Sequence, residues 1–209
     1  MTNQKPTLSL EEFADLLGQL DRFIGAHNPE LNLEVRAIGG FSLMYHDKQT
    51  SLVLLRKGSS DIDTLTHLPQ SVATMVDIIA TNNDVNTDWL NDCWYANHNF
   101  EEEFEPYITW EPTEYTFKHI DLKVANPKGI LLMKLRAVCD ALEFAGYPDN
   151  PEVLAAELRT QDVMDTVSLL RFLGIETVAD LEAFPRPVEI LGFDRFVRYA
   201  VDQGLVRER

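Results

Sequence analysis

The chain has 209 residues and carries 34 Asp and Glu against 18 Lys and Arg, a formal net charge of −16. That balance opposes broad, sequence-independent binding of DNA or RNA, which rests on Lys and Arg neutralising phosphates. No apolar run approaches the roughly 20 residues that span a bilayer, and the first residues lack the basic flank and apolar stretch of a signal peptide. A cytoplasmic chain with no membrane partner is therefore expected. Its hydrophobic content of 45% and charged content of 25% are ordinary for a globular protein. Cys93 and Cys139, far apart in the chain, read as free thiols.

In chain order, Leu8–Ile24 reads as an amphipathic helix. Ser9 caps it, Glu11 and Glu12 suit its first turn, and Phe13, Leu16, Leu17, Leu20 and Phe23 recur at helical spacing. Leu33–Ile38 is a short strand that ends at Gly39-Gly40, and Phe41–His46 opens a helix. Within Asp47–Ser60, Leu52–Leu55 reads either as continued helix or as a short strand, and Lys57–Ser60 as a turn. Asp61–Leu65 is a second strand. Pro69 starts a helix that runs to about Ala80, and Asn82-Asn83-Asp84 breaks it. Trp89–Asn99 reads as another short helix.

The stretch Asp84–Glu114 holds nine acids and neither Lys nor Arg. It reads either as a solvated acidic insertion or as a docking surface for a basic protein partner. Glu114–Val124 is rich in β-forming residues and predicts a strand. Asn126-Pro127 opens a helix to about Phe144. After the loop Gly146–Pro151, the helices Glu152–Thr160, Asp162–Leu173, Val178–Phe184 and Val188–Gln203 complete the chain. The expected division is an α/β part over residues 1–145 and a helical part over 146–209 packed on it.

Two motifs carry chemistry. Asp61 and Asp63, at i and i+2 on a strand, point to one face and can hold a divalent cation through oxygen ligands. Gly39-Gly40, between a strand and a helix, leaves bare N–H groups that phosphate can approach, although a tight turn alone also requires glycine. Ser42 can bond a phosphate oxygen or cap the helix locally. Ser60 and Ser59 face the same choice, and Arg56 and Lys57 can reach phosphate or sit in a solvated turn. Together these residues point to nucleotide chemistry with Mg²⁺. No Ser-His-Asp or Cys-His arrangement suits acyl chemistry, and no spacing suits zinc.

Three stretches resemble the minimal nucleotidyltransferases of the polymerase-β superfamily, and within it the AbiEii-like branch. Ala37-Ile38-Gly39-Gly40-Phe41-Ser42-Leu43 resembles the family's glycine motif. Arg56-Lys57-Gly58-Ser59-Ser60-Asp61-Ile62-Asp63 resembles its R-x-[ST]-x-D-I-D signature with one extra residue. Leu132–Ala137 followed by Arg159–Asp165 resembles its K-x-x-A … R-x-K-D-x-x-D helices, with Gln161 in place of the Lys.

The resemblance implies an α/β (α+β) fold, a small mixed sheet flanked by helices, with a helical C-terminal part. It implies Mg²⁺-dependent transfer of a nucleotidyl group from an NTP to a hydroxyl of a protein, an RNA end or a small molecule, with Mn²⁺ as a substitute cation. A role in a toxin–antitoxin or phage-defence pair accompanies that branch. Asp61 and Asp63 would hold metal. Asp121, on the expected Glu114–Val124 strand, would supply the third acid if its face is theirs; otherwise it pairs with Lys118 or Lys123 at the surface. Lys134, on an apolar helix face, calls for a partner such as Asp162 or Asp165, and serves as a nucleotide-site element second. Arg136 and Arg159 are candidate triphosphate ligands. The alternative is a non-catalytic protein of this fold that binds a nucleotide or a basic protein.

Overall fold

A computed structural model describes residues 7–54, 58–92, 107–184 and 190–208. Arg56, Lys57, Cys93, Trp94 and Tyr95 lie outside the described residues, as does the centre of the acidic stretch. The architecture is mixed α/β. The strands are β1 (Leu33–Ile38), β2 (Ile62–Thr64), β3 (Leu90–Asn91), β4 (Trp110–Pro112) and β5 (Ile120–Ala125). They form one sheet in the order β3-β2-β1-β5-β4. β1 runs parallel to β5 and antiparallel to β2, β2 is parallel to β3, and β4 is antiparallel to β5.

Helices α1 (Leu10–His27), α2 (Gly39–Gln49) and α3 (Gln70–Asn83) belong to the front of the chain. Behind them come α4 (Pro127–Phe144), α5 (Pro151–Glu157), α6 (Thr160–Phe172), α7 (Val178–Ala183) and α8 (Phe193–Asp202). Local chemistry sets several of their ends. Ser9 and Glu12 form a reciprocal capping box at α1. The Asn126 side chain accepts from the Gly129 N–H ahead of Pro127, which starts α4. α3 ends at Asp84, the one described non-glycine residue in the left-handed region, at φ 55°, in keeping with the Asn82-Asn83-Asp84 break.

α2 has no polar face over its first two turns. Gly40 through His46 are all buried, which marks a helix enclosed on every side. Phe41, Met44 and Tyr45 join a core built from α1, β1 and α3. Leu43 joins a second core, which runs from Ile38 through α4 to Val206. Ser42 and His46 resolve their polar groups internally. The Ser42 hydroxyl donates to the Ala37 carbonyl at 2.7 Å, and a ring nitrogen of His46 bonds the Ala125 carbonyl at 2.8 Å.

Two expected elements differ. Trp89–Asn99 reads from the sequence as a short helix; within its described residues, 89–92, the chain instead forms the two-residue strand β3, because Trp89 and Leu90 are drawn into the core. The long strand Glu114–Val124 is in fact β5 alone, preceded by a bend over residues 113–119 that returns the chain from β4. Among the described residues no helix is long and apolar enough to cross a membrane.

Candidate functional site

One cavity gathers most of the motif residues. It measures about 540 Å³ and is lined by Gly39, Gly40, Ser60, Asp61, Asp63 and Lys134, together with Ser59, Arg159, Gln161 and Asp162. That size suits a small-molecule ligand. Its floor is the junction of β1 with α2. Gly39 sits at φ 64°, and a Cβ there would lie 3.0 Å from Asp63 Oδ2. Both facts require glycine: the left-handed backbone disfavours side chains, and the space is taken by the acid. Gly39 and Gly40 open α2, which has no side-chain cap at its start, and both line this cavity, which places the positive end of the helix dipole beside it.

β2 and the residue just before it supply the acids. Ile62 and Thr64 are fully buried on one face, and Asp61 and Asp63 flank Ile62 on the other. Burial, and then the neighbouring Asp61 carboxylate, push Asp63 up to about 6; the Asn91 amide, Lys134 and Arg159 pull the other way. Asn91 is the residue the sequence reading missed. It stands opposite Asp63 in the β2–β3 register, on a strand too short to show any periodicity.

The far wall comes from α4 and α6. Lys134 Nζ lies 2.6 Å from Asp162 Oδ1 and 3.0 Å from Asp165 Oδ2. All three side chains are largely buried, and Gln161 Nε2 donates to Asp165 at 2.8 Å. The expected Lys134–Asp162 pair is thus present, with Asp165 as a second partner. Arg159, at the start of α6, is 80% exposed and lies 3.8 Å from Asp162. Arg136 pairs instead with Asp140 one turn along α4 and does not line the cavity.

Two expectations do not hold at this site, and a third, Arg56, is not tested by it. Asp121 is not part of it. In the sheet Asp121 stands opposite Glu34, whereas Asp63 stands opposite Ile38 on the other side of β1. Four residues along β1 and two strand spacings across it separate the two Cα atoms by about 16 Å. The Asp121 side chain is 62% exposed and pairs with Lys123 at 3.0 Å, which is the surface alternative. Ser42 points into the core rather than to phosphate, because the Ala37 carbonyl needs its hydroxyl. Arg56 lies outside the described residues, so the structure assigns it no position.

No protein-family model, curated protein or solved structure matches this chain.

The donor set still bears on a cation. Among the described residues no three His, Cys, Asp or Glu side chains are grouped to hold a metal ion. Asp61 and Asp63 alone offer two hard oxygen ligands whose mutual repulsion a cation would relieve. Two carboxylates, with the remaining positions left to phosphate oxygens and water, is an arrangement Mg²⁺ commonly uses. The residues therefore fit one Mg²⁺ carried in with a phosphate ligand. They do not form the three-acid, two-metal site that Asp121 would have completed.

Proposed function

We propose that this cavity binds an NTP with Mg²⁺ and transfers its nucleotidyl group to a hydroxyl acceptor. The observation that carries the reading is the convergence on one cavity of Asp61 and Asp63, the Gly39-Gly40 start of α2, and the cationic side chains Lys134 and Arg159. Acids for a cation and donors for phosphate are both needed, and neither set alone would select a nucleotide. In the reaction, the acceptor oxygen bonds to the α-phosphorus as the bond to the bridging oxygen breaks. Pyrophosphate leaves, and the hydroxyl proton passes to water.

The α2 N–H groups and Arg159 hold phosphate oxygens and orient the chain of phosphates. Asp61 and Asp63 hold the cation, which when bound supplies charge neutralisation to the phosphates. Lys134, engaged by two carboxylates, fixes the wall that Asp162 and Gln161 present.

A second reading is favoured by the position of Asp121: among the described residues no third carboxylate is grouped with Asp61 and Asp63 to hold a metal, and the protein then binds the nucleotide without transferring it. Calorimetric titration of each NTP with Mg²⁺ into wild type and into the Asp61→Ala/Asp63→Ala variant tests the site. Incubation with NTP labelled at the α-phosphate then separates the readings. Binding lost in the variant, with label passed to an acceptor or to the protein itself, supports transfer. Binding without label transfer supports the second reading, and no binding by folded wild type refutes both.

A further inference from the structure

We propose that Asn91 is a positioning residue for the cation site, clamping the Asp63 carboxylate from the sheet edge; this rests on the reading of the cavity given above. The strand register brings the two residues side by side, and hydrogen bonding from the Asn91 amide favours the ionised Asp63 carboxyl. The Asn91 Nδ2 also donates to the Asp88 carbonyl at 3.2 Å. An amide nitrogen has two hydrogens, so one group ties the turn before β3 to the acid.

The described neighbours of Asn91 along the chain are fixed independently. Trp89 is fully buried, and its indole N–H donates to the Val76 carbonyl on α3 at 3.2 Å. The Trp89 carbonyl accepts from the Ile62 N–H at 2.7 Å, and Leu90 is buried. The Asp92 carboxylate accepts from the Leu68 N–H at 2.8 Å and bonds a ring nitrogen of His67 at 3.0 Å. A strand of two residues thus has anchors on both sides, and the amide has little freedom to swing away. On the opposite side, Asp63 Oδ2 rests over Gly39, where no side chain intrudes. The carboxylate is held between a donor and bare backbone.

The neutrality of Asn91 matters as much as its hydrogen bond. An aspartate at this position would place a third carboxylate beside Asp61 and Asp63, adding a ligand for a bare cation. The amide instead orients one acid without adding charge. Outer partners of metal ligands commonly change metal affinity by about 10–100-fold when removed.

The test uses the full chain and Mn²⁺ alone, with free ion followed by electron paramagnetic resonance. The Asp61→Ala/Asp63→Ala variant gives the background from other acids. Asn91→Ala should weaken the site by about 10–100-fold with its thermal unfolding midpoint close to that of wild type. Asn91→Asp should bind Mn²⁺ more tightly than wild type, an opposite sign that loss of packing alone cannot produce. In unmutated protein, the Asn91 side-chain amide resonance should shift on titration with Mg²⁺, a readout that holds even if a variant misfolds. Equal affinity of Asn91→Ala and wild type, with an unmoved resonance, overturns the role of Asn91 and leaves the nucleotide site standing. No binding by wild type above the background overturns both.

Discussion

Replacing Asp63 by Asn should make the ligand-free protein more stable near neutral pH. The Asp63 carboxyl, raised from 3.8 to about 6 by burial and by Asp61, holds a proton in the folded chain over a window where the unfolded chain has already lost it. Stability therefore falls as pH climbs through that window and is lowest above it. At 1.36 kcal/mol per pKa unit, the ionised acid costs the fold about 2–3 kcal/mol at about pH 7.5 and only about 0.5 kcal/mol at about pH 4. Asn keeps the shape and carries no charge, so the variant escapes the cost.

For a chain of this size the gain corresponds to about 5–10 °C in unfolding midpoint. Thermal and urea unfolding across about pH 4–8 would measure it, with the gap between the proteins closing at the acidic end. With Mg²⁺ and a bound NTP at about 100 times its dissociation constant, wild type should gain about 2.7 kcal/mol and the variant almost nothing. A variant no more stable than wild type at neutral pH, or a gap that does not depend on pH, would refute the reasoning.

Gly39→Ala should cost about 1–2 kcal/mol for the left-handed backbone and abolish nucleotide binding, because the new methyl group meets Asp63; urea unfolding and calorimetry measure the two effects. Lys134→Ala removes the cation that bridges the buried Asp162 and Asp165 and should destabilise the fold by about 3–5 kcal/mol, seen as a lowered urea midpoint. Asp121→Ala should leave NTP affinity within about twofold of wild type, since distant sites act independently; a larger loss by calorimetry would mean Asp121 acts at the cavity after all.

Much of the scaffold was legible because local rules governed it. Ser9, Pro127 and the Asn82-Asn83-Asp84 break mark helix ends through side-chain caps and backbone preferences that need no tertiary context. The Asp61/Asp63 pair was legible for the same reason: a strand's two-residue period fixes which side chains share a face. What escaped was set by pairing between distant segments. The face and end of the sheet where Asp121 emerges depend on β5 aligning Asp121 with Glu34, and no pattern within residues 114–124 contains that register. Ser42 was misread because its hydroxyl satisfies a carbonyl from the preceding strand. Asn91 carries no motif, and its importance comes from the strand it lies beside.

The central parallel pair joins Leu33 to Ile120, segments remote from one another in the chain, and everything between them hangs from that one closure. Closing such a span is slow, because the entropy of bringing the ends together is spent before the contacts repay it. Its cost is nonetheless insensitive to length: doubling the span would add only about 0.6 kcal/mol. The acidic stretch lies within this span. Residues inserted between Asp92 and Tyr107 should therefore add little to the entropic cost of closing the sheet, whereas β3, β4 and the buried Trp89, which the same stretch contains, hold fixed places in it.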